Sequence, residues 1–161
     1  MIDSLDGPRL GLATLLLNAA ATFWMVGLIW FVQVVHYPLF SKVGTEGFAA
    51  YEARHAGRTT WVVAPPMLIE LVTSVLLIWF RPPGVPAWLV YFGIATVVVN
   101  WASTAFVQVP LHGRLAGGFD AAAHGRLVAT NAVRTAAWSL HGAAVLAMLY
   151  LAMRHPAGPS A

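Results

Sequence analysis

VPAWLVYFGIATVVVNWASTAFVQVPL, residues 85–111, contains no Asp, Glu, Lys or Arg. About 20 apolar residues suffice to cross the hydrocarbon core as a helix. Lipid cannot satisfy open backbone groups, so a helix is the default for such a run. Three further runs have the same character. Leu10 to Ser41 holds a span at about 10–36, Thr59 to Phe80 contains one acid, Glu70, and Thr135 to Met153 contains His141. Composition agrees: 59% of the 161 residues are hydrophobic and 9% are charged, against about 25% charged in an ordinary soluble domain. The net charge of +3 is too small to imply nucleic acid. The absence of cysteine removes disulfides, thiolate metal sites, cysteine nucleophiles and covalent c-type haem. The acidic start, MIDSLDGPRL, and the long run after it are not those of a cleavable signal.

The expected fold is therefore all-α, a single four-span membrane bundle. Pro82-Pro83-Gly84 makes a tight turn between spans 2 and 3, and Pro65-Pro66 is expected to kink span 2. The other two connections, 37–58 and 112–134, contain GFAAYEARHAGR and GFDAAAHGRLVATNAVR. Each reads as a short amphipathic helix leading into span 2 or span 4. They carry Lys42, Arg54, Arg58, Arg114, Arg126 and Arg134, while the opposite side has Arg9, Arg81 and Arg154. The positive-inside rule then places both long connections in the cytoplasm and both termini outside, in a multi-pass protein of the cell (inner) membrane.

The run quoted above also contains half of an internal repeat. Phe106-Val107-Gln108-Val109 repeats Phe31-Val32-Gln33-Val34, His112 repeats His36, and Asn131-x-x-Arg134-Thr135 repeats His55-x-x-Arg58-Thr59. The offset is 75 residues at the first match and 76 at the other two. Three ordered matches at a nearly constant offset argue for duplication, about 10–81 and 85–154. Each copy has two spans, so the copies enter the membrane in the same direction. Gln33 and Gln108, His36 and His112, and Arg58 and Arg134 are then expected at matching depths.

Polar residues recur at helical spacing in each span: Asn18, Thr22, Gln33 and His36; Thr59, Pro66, Glu70 and Thr73; Asn100, Thr104, Gln108 and His112; Asn131, Arg134, Trp138 and His141. Turning these faces inward gives a polar interior. Asn, Gln, Ser and Thr commonly join membrane helices, which is reading enough for Asn18, Thr22, Thr73 and Ser74. An acid in mid-span is costly and usually functional, so Glu70 needs a partner, and His141 is the candidate. Histidine serves as metal ligand and as proton-transfer group. His36 and His112 on facing helices are expected to bind one metal ion, with His55 or His124 as a third ligand, and imidazole suits copper, iron or zinc. Bis-histidine haem b held by His36 and His112 competes with this reading. Glu52-x-x-His55 has di-iron spacing, but its repeat position is Val128, so Glu52 reads as a surface residue. The tryptophans fit interfacial belts or core packing.

In the second half, Val109-Pro110-Leu111-His112, Leu127, Asn131, Arg134-Thr135 and Trp138 resemble the four-span anthrone oxygenase-like membrane proteins. That family carries V-P-[IL]-N at the end of span 3 and N-x-x-R-T opening span 4. Pro110, Asn131, Arg134 and Thr135 match. His112 stands where the family has asparagine, and His36 and His55 are additions. The resemblance implies oxidation of a phenolic, polycyclic or other lipophilic substrate by dioxygen.

Together these give an expected oxygenase-type oxidoreductase in the bilayer. His36, His112, Glu70 and His141 are the candidate catalytic groups, and Gln33, Arg58, Asn100, Gln108, Asn131 and Arg134 the substrate-binding ones. His36, His55, His112 and His124 are the candidate metal ligands. The expected partners are the lipid bilayer, a lipophilic small molecule and a second copy of the chain. The competing classes are a small transporter or proton-coupled carrier, a haem b electron carrier and a structural subunit of a membrane complex.

Overall fold

The computed structural model describes residues 6–155, and no strand occurs among them. Four helices are long and apolar enough to span a membrane: α1 Gly7–Lys42, α2 Thr45–Leu76, α3 Ala87–Leu115 and α4 Ala121–Arg154. Side chains such as Leu17, Trp24, Trp61, Trp79, Trp88 and Phe106 face outward. An apolar surface of that extent suits lipid rather than water, and the chain is a multi-pass membrane protein. The helices run to between 29 and 36 residues. At about 1.5 Å per residue they exceed the ~30 Å hydrocarbon core, so their ends project beyond it.

The stretches expected as separate amphipathic helices are instead the opening turns of α2 and α4, continuous with the spans that follow. Helix α2 also runs on through Pro65 and Pro66. Asp120 starts α4, its carboxylate accepting hydrogen bonds from the backbone N–H of Ala122 and Ala123. Those bonds hold its carboxyl below the ordinary aspartate range. Between α2 and α3, Gly84 takes φ of 79°, a left-handed value that glycine adopts without strain.

Helix α1 packs on α2 and on α4, and α3 packs on α4, while the α2–α3 seam is the loosest. The order around the bundle is thus α1, α2, α3, α4, with antiparallel neighbours. The second hairpin, α3–α4, packs more extensively than the first, α1–α2. They meet closely along α1–α4 and loosely along α2–α3. Both α1 and α3 widen to a π-helical turn, Val32–His36 and Thr104–Gln108, each two residues ahead of a proline, Pro38 and Pro110. An i→i+5 turn accommodates the missing N–H and the ring of the following proline.

The interior is layered. One apolar cluster, around Leu15, Leu77, Leu89, Val145 and Met148, fills the end near the termini. Another, around Phe40, Phe48, Leu115, Leu127 and Trp138, fills the opposite end. That second end carries Lys42, Arg54, Arg58, Arg114 and Arg126 exposed and is called the basic end below. A polar layer lies between the clusters. In it, Asn18 Nδ2 donates to the Glu70 carbonyl, Thr73 Oγ1 and Ser74 Oγ at 2.9–3.1 Å, tying α1 to α2.

Replacing Asn18 by alanine removes all three bonds. The expected loss is about 1 kcal/mol of stability, measured as a lower thermal midpoint in detergent. At Asp120 the sign follows from the lowered carboxyl. Its cap stabilises at pH values above the ordinary aspartate value of 3.8 and is lost as pH falls through the lowered one. The difference in thermal midpoint between wild type and Asp120→Ala is expected to shrink on acidification over that range.

Candidate functional site

The site lies towards the basic end, where α1 and α3 finish and α2 and α4 begin. The π turn of α1 brings His36 and Tyr37 inward. His36 Nε2 and His55 Nδ1 are 3.0 Å apart, and the His55 ring stands 5.4 Å from that of His112. His112 Nδ1 is 2.5 Å from Glu52 Oε1, and its Nε2 is 2.9 Å from the Tyr37 hydroxyl. A carboxylate only accepts, so Nδ1–H donates to Glu52 and Nε2 accepts from Tyr37. Glu52 Oε2 is buried without a partner.

Glu52 corrects the sequence reading. It is not a surface residue: its exposure is 0%. Glu52 and His55 are one helical turn apart and share a face of α2. The repeat argument dismissed that pair because Val128 occupies the matching position on α4. Position 128 instead supplies a backbone carbonyl, which accepts from Gln33 Nε2. Tyr37 was also missed, and only its place beside His36 hinted at it.

Ligand atoms of Glu52, His55 and His112 lie within 4.8 Å of one another. Two imidazoles and one carboxylate form the donor set of non-haem iron sites, and the unpartnered Glu52 oxygen is a free ligand atom. His36 adjoins this group through His55. His124 is not among the residues whose ligand atoms converge; its Nε2 donates to the Tyr37 carbonyl at 2.8 Å. Nor does the arrangement suit haem b between His36 and His112. The His55 ring, 4.7 Å from His36 and 5.4 Å from His112, occupies the space a macrocycle would need.

Glu70 and His141 form a separate group. Glu70 lies four turns beyond His55 on α2, roughly 22 Å at 1.5 Å per residue. Its Oε2 accepts from Trp138 Nε1 at 2.9 Å, and Oε1 is 3.7 Å from His141 Nε2. His141 Nδ1 is 3.0 Å from Thr96 Oγ1. Asn100, one turn along from Thr96, is buried with neither side-chain polar atom bonded. These residues sit apart from the histidine group, in the polar layer.

The amide and guanidinium residues lie beside the histidines. Gln33 Oε1 accepts from Asn131 Nδ2 at 2.9 Å, and Asn131 Oδ1 accepts from Arg134 Nη1 at 3.2 Å. Gln108 Nε2 donates to Thr130 Oγ1. Both glutamines thus reach the same turn of α4. Arg134 is buried and stacks on Trp138, its guanidinium carbon 5.1 Å from the ring centroid. Arg58, its match in the repeat, is exposed.

Two cavities flank the site. One, about 680 Å³, lies between α1 and α2 and is lined by Met25, Leu28, Val32, His36, Arg58 and Val62 among others. The second, about 530 Å³, lies in the loose α2–α3 seam against Glu52, Met67, Trp101, Gln108 and His112. Tyr37, His55, Thr59, Val63 and Arg134 line both. Outward-facing residues, Phe31 and Val62 on the first and Val109 on the second, border their mouths.

Replacing Gln33 by leucine leaves Asn131 Nδ2 buried without its acceptor. That is expected to cost about 1–3 kcal/mol, read as a lower thermal midpoint than wild type. No known family, curated protein or solved structure matches this chain.

Proposed function

We propose that the protein is a membrane oxidoreductase of the oxygenase type, acting on a lipophilic or aromatic substrate at a metal-dependent site towards the basic end. The observation that carries this reading is the convergence of Glu52, His55 and His112 between two largely apolar cavities. A bound first-row transition ion there would supply the redox chemistry with dioxygen as oxidant. The resemblance carried by Pro110, Asn131, Arg134 and Thr135 points to the same reaction class.

The chain's own groups have distinct tasks in this reading. Glu52, His55 and His112 would hold the ion, His112 Nδ1 giving up its proton and its hydrogen bond to Glu52 in exchange, and His36 steadies the His55 ring through their hydrogen bond. The Tyr37 hydroxyl, on His112 Nε2, is placed to give or take a proton at the substrate where both cavities meet. Mouths bordered by Phe31, Val62 and Val109 let a lipophilic molecule enter from the bilayer without crossing water. By the positive-inside rule the basic end is cytoplasmic, with the termini on the other side.

The test is metal content of the full-length protein, purified in detergent after anaerobic supply of Fe(II). About one ion per chain is expected. Glu52→Ala and His112→Ala are each expected to lose most of it, while His124→Ala keeps it. No ion in the wild type, or equal content in all four proteins, refutes the proposal.

A further inference from the structure

We infer that Arg134 is the receptor for an acidic head on the substrate: the ligand is an amphiphilic carboxylate, its head at Arg134 and its apolar body in the flanking cavities. This rests on the reading that the cavities hold the substrate, but it does not depend on a metal.

A guanidinium is always ionised in a protein, and Arg134 is only 6% exposed. Its hydrogen-bonding neighbours, Asn131 Oδ1 and the Tyr37 hydroxyl, are both neutral, and its Nε is buried with no partner. Among the described residues, the close carboxylate–cation contacts are those of Glu52 with His112 and Glu70 with His141, and none involves Arg134. A buried charge without a counter-ion is strongly unfavourable. Stacking on Trp138 recovers only part of that cost. The amide chain through Asn131 and Gln33 nevertheless holds the group in place, with N–H donors left over.

Position identifies the missing partner. Arg134 lines both cavities, at the place where they meet, and no other arginine or lysine among the described residues does so. The walls leading away from it are mostly apolar, Met25, Leu28 and Val32 on one side and Met67 and Trp101 on the other, with the exposed Arg54 and Arg58 at the border of the first cavity and Thr104 and Gln108 in the second. One anionic head beside a long apolar surface describes a fatty-acid-like or aromatic carboxylate. A carboxylate has two oxygens in one plane, the acceptor geometry that a guanidinium fork matches.

The experiment measures binding of palmitate and of methyl palmitate to the full-length protein in phosphatidylcholine nanodiscs. Wild type is expected to prefer the acid by about ten- to hundredfold. Arg134→Gln is expected to lose that preference while still binding the ester, and Arg134→Lys to retain part of it. Equal affinity of wild type for acid and ester overturns the inference, without reference to any variant's folding. So does an acid preference that survives in Arg134→Gln. Displacement of palmitate by phosphatidylglycerol at ordinary bilayer content overturns the assignment to a carboxylate. Metal content read on the same samples separates the two proposals. Acid preference without metal leaves this one standing alone, and metal without acid preference leaves only the other.

Discussion

Lipid offers no hydrogen-bond partner, so a polar side chain in this bundle must find one on another helix or face a protected space. Asn18 shows the first solution, with three acceptors on α2. Trp138 shows another, its indole N–H donating to Glu70 rather than facing a belt of lipid headgroups. The inward polar faces, the packing order of the helices and the polar layer between two apolar clusters all follow from this constraint.

The constraint is not met everywhere: Asn18 Oδ1 and Thr22 Oγ1 are buried without partners, and so are four groups on residues that line a cavity, Glu52 Oε2, Trp101 Nε1, Gln108 Oε1 and Arg134 Nε. Two of these four belong to ionisable side chains, Glu52 and Arg134. One is an acceptor beside two imidazoles, suited to a cation. The other is a donor on a fixed positive charge, suited to an anion. A site for a metal ion and an acidic lipophilic molecule would satisfy both. The Glu70, His141 and Asn100 group is also incompletely bonded, but it sits deep in the polar layer, away from the two cavities.

The two hairpins place these features unequally. The second packs more extensively within itself than the first, and the seams between them differ, α1–α4 close and α2–α3 loose. Gln108, like Gln33, turns to α4 rather than to α2. On the α2–α3 side the Glu52–His112 bond remains, and the second cavity lies along that looser seam. Arg58 and Arg134 diverge in the same way, one exposed and the other buried.

The four spans, their inward faces and the end at which the site lies were legible in the sequence, because they depend on periods and lengths that lipid enforces residue by residue. Runs such as 85–111 have no other stable form in a bilayer, and the steps from Asn100 to His112 specify a face whatever the partner. The partners themselves were not legible. Glu52 was read as a surface residue because its repeat position holds valine, and only the approach of α3 to α2 put His112 against it. His55 and His124 were read as alternative third ligands, and only the packing put the ligand atoms of His55 beside those of Glu52 and His112. Side-chain period decides which way a residue points along its own helix. Which groups it meets depends on how four helices pack, and a break in pseudo-symmetry as small as one loose seam leaves no mark in local sequence.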